Sequence, residues 1–209
     1  MSRVLITLLM TVAAAALLLA PRAAGGRGAC AAAGSRTLVA NSHARVYESA
    51  SGYTYACSYH YGRHLRLDTS FGDSFGPYAV NRHYVAYLQR YYEGSATYYS
   101  VVEQSLSTGR ERFADQNGPW GDCGGDDDCG GSSVARLLMK RNGSLAWIAC
   151  DTHGTRCRRG PYAVLRHDRR GARLLDQGAR IDPDSLRITR RGARVVWTKR
   201  GEPRHATLR

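Results

Sequence analysis

Apolar and polar residues alternate in short runs along this chain, and the runs recur in a fixed order. Four segments carry a strand-like run, a turn, and a second run that closes on an aromatic residue. They are Thr37 to Asn41 with Arg45 to Tyr47, Tyr78 to Arg82 with Tyr84 to Tyr87, Ala135 to Gly143 with Leu145 to Trp147, and Ser185 to Gly192 with Val195 to Trp197. The closing aromatics fall 40, 60 and 50 residues apart. Setting aside a Gly/Asp-rich insert of 19 residues, Ala114 to Ser132, reduces the 60 to 41, so the units recur every 40 to 50 residues. In the first three units a third run follows: Tyr53 to His60, Tyr98 to Leu106, and Tyr162 to His167. A glycine turn and a short fourth run come next: Tyr61 to Asp68, Thr108 to Phe113, and Arg170 to Asp176. Alternation such as Val101-Val-Glu-Gln-Ser-Leu106 belongs to strands, whose side chains point to opposite faces in turn. The glycines supply the positive φ of tight hairpins. Each unit is predicted to be a four-stranded antiparallel meander, and the last, Ser185 to Leu208, offers only three strands.

One small twisted sheet cannot cover both of its faces. A meander repeating every 40 to 50 residues therefore predicts sheets stacked on their neighbours, as in β-propeller blades. The repeated Asn/Arg-Gly turn followed by Val85-Ala-Tyr87 or Leu145-Ala-Trp147, and the turn Ser105-Leu-Ser-Thr-Gly-Arg110, resemble blades of secreted bacterial propeller-like repeat proteins, distantly of the TolB or quinoprotein-repeat type. The resemblance covers residues 36 to 209. It implies an all-β fold of about four propeller-like repeats and brings no catalytic residue with it. The unfinished last unit leaves three endings open: a partial propeller, a strand borrowed from the N-terminus, or assembly with a second copy as a homo-oligomer. Trp197 is then expected to be the least covered of the four aromatics. A two-sheet β-sandwich is the alternative fold for the same strands.

The first 26 residues lie outside the pattern. Arg3, an apolar run from Val4 to Ala20, and small residues from Ala23 to Gly26 read as a secretory signal peptide, because 17 apolar residues are short for a bilayer. The expected mature chain is one all-β domain over residues 27–209, outside the cell and without a transmembrane segment. Its six cysteines, Cys30, Cys57, Cys123, Cys129, Cys150 and Cys157, are read as disulfides in that oxidising setting. The simplest scheme pairs Cys123 with Cys129 and Cys150 with Cys157, leaving Cys30 to tie the N-terminal arm to Cys57. Separations of six and seven positions fit no common zinc site.

Charge narrows the choice of partner. The chain holds 30 basic and 17 acidic residues, net +13, and 28 of the basic residues are arginine. Residues 133 to 209 carry 17 Arg and 2 Lys against 6 acids, whereas residues 25 to 132 carry 9 Arg against 11 acids. Such a field attracts anionic polymers, wall components among them. Arg169, Arg170 and Arg173, around one glycine turn, are the expected contacts. The competing reading is a compositional bias that puts arginine on solvated strand faces.

Two motifs bear on chemistry. Gly72-Asp-Ser-Phe-Gly76 matches the G-x-S-x-G nucleophile elbow around Ser74, but Pro77 and a strand-like run follow where a helix is needed, so a loop between blades is expected. Asp122, Asp126, Asp127 and Asp128 crowd a glycine-rich loop whose hard oxygens suit calcium, or which stands simply as a solvated acidic loop. The seven histidines show no metal-ligand spacing. The expectation is a secreted, non-enzymatic binding or scaffold module for a polyanionic or wall-associated partner, with no resident cofactor unless calcium. A structural subunit and a hydrolase using Ser74 are the alternatives.

Overall fold

The computed structural model describes residues 27–68, 72–93, 96–116, 132–151, 160–189 and 194–209. The expected signal peptide, the four insert aspartates Asp122, Asp126, Asp127 and Asp128, and Cys123, Cys129 and Cys157 lie outside the described residues.

Among the described residues fifteen strands form four antiparallel sheets, each in chain order. The first sheet holds β1 (Arg36–Ala40), β2 (Ala44–Glu48), β3 (Thr54–Ser58) and β4 (His64–Arg66). The second holds β5 (Gly72–Val80), β6 (Tyr84–Glu93), β7 (Ala96–Ser105) and β8 (Glu111–Gln116). The third holds β9 (Ser132–Met139), β10 (Leu145–Asp151), β11 (Tyr162–Asp168) and β12 (Gly171–Gly178). The fourth has three strands, β13 (Arg187–Ile188), β14 (Arg194–Lys199) and β15 (Glu202–Thr207). The all-β meander repeat is thus present, as four antiparallel sheets of three or four strands among the described residues.

Two boundaries differ from the sequence expectation. Ala114 to Gln116 complete β8 and Ser132 begins β9, so the insert is shorter than its composition suggests. Residues 72 to 75 are not a loop between blades but the first part of β5, paired with Tyr91 through Leu88 of β6. The pattern concealed this strand because its glycines and Pro77 interrupt the alternation.

Period two along the central strands decides which seam each side chain enters. In β10, Leu145, Trp147 and Ala149 pack against the second sheet, in one cluster with Ala86, Leu88, Tyr99 and Val101. Ala146, Ile148 and Cys150 point the other way, into a cluster with Ile181, Leu186, Val195 and Trp197 of the fourth unit. In β6, Val85 and Tyr87 join Ala44, Val46, Ala56 and Leu67 of the first sheet. Tyr87, Trp147 and Trp197 therefore each fill the seam with the preceding sheet. Trp197 is 4% exposed against 2% for Trp147, so it ranks last of the four as expected but is fully enclosed, and the marked loss of cover expected of the unfinished unit is absent. Its ring faces the third sheet, which is complete.

Tyr47 holds the same position in the first sheet, which has no preceding sheet among the described residues, and a different device covers it. A short 3-10 turn, Arg27–Cys30, lies on that face and is fastened by the Cys30–Cys57 disulfide, as expected from the sequence. Tyr47 stacks on Tyr55 at 5.6 Å, and its hydroxyl bonds His64 Nδ1. The other ring nitrogen, Nε2, donates to the Ala29 carbonyl at 2.9 Å, which fixes the tautomer so that Nδ1 accepts from the tyrosine.

Polar side chains join the sheets at their first hairpins. Asn41 Oδ1 accepts from the backbone of His43 and Ala44, while Nδ2 donates to the Val80 carbonyl of the second sheet at 2.7 Å. Asn81 repeats this, accepting from His83 and Tyr84 and donating to the Lys140 carbonyl of the third sheet at 2.8 Å. Lys140 itself reaches the Leu208 carbonyl at 2.7 Å. No apolar cluster among the described residues joins the first sheet to the fourth. At the open edge of the fourth sheet, the two-residue turn after Lys199 leaves Pro203 at an outward-facing position of β15, where a further strand would seek an N–H.

Two outcomes are expected in urea denaturation. Trp147→Ala and Trp197→Ala should each cost about 3–5 kcal/mol, because each removes a buried ring from a seam. A Trp197→Ala variant as stable as the parent would place that ring outside the seam. Replacing Cys30 and Cys57 together by alanine should cost about 3.5 kcal/mol, the chain-entropy value for a loop of this length; urea denaturation of the double variant measures it.

Candidate functional site

Clefts open where an aspartate at the end of one sheet crosses to the next. Between the third and fourth sheets lies a cleft of about 570 Å³, lined among others by Asp176, Trp197, Lys199, Arg200, Arg204 and His205. Asp176 accepts from Trp197 Nε1 at 2.9 Å and from Lys199 Nζ at 2.5 Å. Burial alone would raise the Asp176 carboxyl, but bonds from Lys199, Trp197 and the Gln177 N–H outweigh it and hold the group below the ordinary carboxylate range. The aspartate thereby locks both the aromatic wall and one cation of the cleft.

The β14–β15 turn carries the other cations to the rim. Arg200 has φ 57° and Gly201 φ 80°, the two positive values that a type I′ turn demands. Glycine or asparagine fits the first of these places at least cost, whereas arginine is strained there. Arg200, Arg204 and His205 are all exposed. Arg204 pairs with Glu202 at 3.0 Å, with both side chains largely in water.

The sequence-expected cations sit elsewhere. Arg169 and Arg170 are exposed on the β11–β12 turn, and Arg173 is exposed on β12 opposite Arg166. They occupy the far end of β12 from Asp176 and do not line the cleft. Their turn is rigid. Asp168 is 3% exposed, accepts from the backbone of Arg170 and Arg209 at 2.9 and 3.0 Å, and pairs with Arg166 at 3.2 Å. Burial would raise this carboxyl as well, and the two backbone bonds with the neighbouring arginines keep it low. Lys199, Arg200, Arg204 and His205 went unrecognised because the signal is faint: an arginine before the turn glycine where asparagine is the ordinary choice.

Ser74 is buried in β5 and faces the seam between the first and second sheets. Its Oγ donates to Asp68 Oδ1 at 2.6 Å, and its N–H donates to the same oxygen at 2.9 Å. No histidine is among the residues lining that cleft. A nucleophilic serine needs a base that accepts its proton and a turn that presents it, whereas this serine joins two sheets. Among the described residues no group of three or more His, Cys, Asp or Glu is placed to hold a metal ion. Cys150 is disulfide-bonded to a cysteine outside the described residues.

One buried acid lies at the seam of the second and third sheets. Glu103 is 1% exposed and pairs with Arg112 at 3.0 Å. Its carboxyl abuts the turn at Gly143, where φ is 93° and an added Cβ would lie 2.5 Å from Glu103 Oε1. Burial pushes its pKa up from 4.5 to about 7, with Arg112 pulling it partway back.

The titrations have opposite signs. Asp168 and Asp176, with lowered pKa values, contribute stability above about pH 4 that is lost as the pH falls through their folded values. Glu103, with a raised value, removes stability as the pH climbs from 4.5 to about 7. Glu103→Gln should therefore flatten the decline and raise stability at pH 8 by on the order of 2 kcal/mol. Urea denaturation of both proteins at pH 5 and pH 8 measures this, and equal slopes would contradict it.

Among the described residues no helix is long and apolar enough to cross a membrane. Comparison with family models, with curated proteins and with solved structures finds no match for this chain.

Proposed function

We propose that this protein is a secreted, non-enzymatic binding module whose C-terminal half engages an anionic polymer. The observation that carries the reading is the basic cleft between the third and fourth sheets, and within it Arg200. A cation held in a left-handed backbone conformation, where asparagine would be less strained, indicates a role for the charge itself. The exposed Arg169, Arg170 and Arg173 extend the same field along the third sheet. Their excess over acids in residues 133 to 209 supplies long-range attraction, and the cleft supplies a place for one anionic group to seat. The Cys30–Cys57 disulfide suits an oxidising compartment. The blade-like repeat serves as a rigid scaffold that carries both basic elements on sheet ends.

Retention on a heparin column across a salt gradient tests this reading. Arg200→Asn combined with Arg204→Gln should elute earlier and lower the slope of log affinity against log salt by about two. The Arg200→Asn change should also stabilise the fold by about 1 kcal/mol, since it relieves the left-handed strain. Weaker binding in a more stable protein separates function from folding. Reversing Arg169, Arg170 and Arg173 should weaken retention more than reversing Arg63 and Arg82 in the first two units. Equal losses from both sets, or retention that salt does not touch, would discard the proposal.

A further inference from the structure

The geometry points to a second binding site, independent of the basic cleft: the seam between the first and second sheets takes the ring of a neutral saccharide. This cleft measures about 620 Å³, within the range of small-ligand sites. Its floor is already complete. Asp68 accepts from Thr54 N–H, Ser74 N–H and Ser74 Oγ, and the Tyr78 hydroxyl donates to the Ser74 carbonyl at 3.2 Å. A floor so fully bonded is rigid and offers no stray charge to a ligand.

The rim is different. Glu48 pairs with Arg36 at 2.7 Å and Asp73 with Arg90 at 2.8 Å, and both carboxylates remain partly in water. The Glu48–Arg36 pair presents an acceptor and a donor side by side at the cleft, and Asp73 adds a further acceptor. Neighbouring hydroxyls of a pyranose, each of which donates one hydrogen bond and accepts others, are matched by such a set. Tyr53 stands at the same rim, 44% exposed, with the Arg66 guanidinium 3.8 Å from its ring centroid. That stacking holds the ring in place, so it offers a preorganised aromatic surface for the C–H face of a sugar.

Other ligand classes fit less well. Within the lining Glu48 and Asp68 balance Arg36 and Arg66, and Asp73 is paired by Arg90 from outside it, which leaves little net field to select an anion or a cation. An apolar molecule would meet Leu38, Phe75 and Tyr78 but would strand the charged rim without water. A neutral ligand with many hydroxyls satisfies walls and rim together.

Isothermal titration of the full chain with cellohexaose, maltohexaose, mannohexaose and the hexamer of N-acetylglucosamine provides the test. At least one should bind, and Tyr53→Ala and Asp73→Asn should each weaken that binding about tenfold or more, while Tyr53→Phe retains it. Both residues are exposed, and far-UV circular dichroism confirms the fold of each variant. Arg200→Asn should leave the saccharide affinity unchanged, and Tyr53→Ala should leave heparin retention unchanged, so failure at one seam does not count against the other. Silence from all four oligosaccharides, binding indifferent to Tyr53→Ala and Asp73→Asn, or heparin retention that falls with Tyr53→Ala would overturn the assignment.

Discussion

A short β-sheet whose two faces are both apolar cannot stand alone in water, and burying those faces against neighbouring sheets organises the whole chain. The consequence is plainest in β10, where Leu145, Trp147 and Ala149 enter one seam while Ala146, Ile148 and Cys150 enter the next. A strand buried on both faces loses the clean apolar–polar alternation of a surface strand and reads as a nearly continuous apolar run. The large rings Tyr87, Trp147 and Trp197 all point to the preceding sheet, so each seam receives its closing aromatic from the same side. Over Tyr47 of the first sheet the disulfide-fastened N-terminal turn does the covering that a preceding sheet does for the other three rings, and on the fourth sheet Pro203 blunts the hydrogen-bonding edge of β15.

Apolar burial is not directional, and something else must set how adjacent sheets align. The side-chain amides of Asn41 and Asn81 do this on one side of the stack, each closing its own hairpin and donating to the following sheet. Aspartates do it at the fourth strands. Asp68 holds Ser74 of the second sheet, and Asp176 holds Trp197 and Lys199 of the fourth. Because these carboxylates are wholly engaged in bonds across the seam, they are poor candidates for acid–base work and effective as fixed supports. The clefts form beside them, where two twisted sheets diverge from a common anchor.

The two clefts differ in charge for a reason that follows from where the arginines fall. Around Asp68, each rim acid has its own arginine partner, and the charges cancel. Around Asp176, one acid faces Lys199, Arg200 and Arg204, and the balance is positive. The same architectural joint thus presents a neutral, aromatic-walled opening in the first half of the molecule and a cationic one in the second. Glu103 marks a third seam, where an acid is enclosed against the turn at Gly143 and paired with Arg112.

Periodicity, glycine turns and recurring aromatics were sufficient to place nearly every strand, because strand alternation and hairpin chemistry are local properties of sequence. The three-stranded last unit and the Cys30–Cys57 link were equally legible, the first from the strand count and the second by leaving two cysteines over after local pairing. The strand around Ser74 was not, since its pairing with β6 depends on Asp68 and on residues some fifteen positions away rather than on its own glycine-rich pattern. Nor did sequence distance show that Trp197 would be as enclosed as Trp147, because its cover comes from the third sheet. Net charge identified the C-terminal half as basic, yet only the packing of sheets separated Arg169 and Arg170, on a solvated turn, from Lys199 and Arg200, at a cleft. Local chemistry dictated the strands, and the seams between sheets, which join residues tens of positions apart, decided where a ligand can enter.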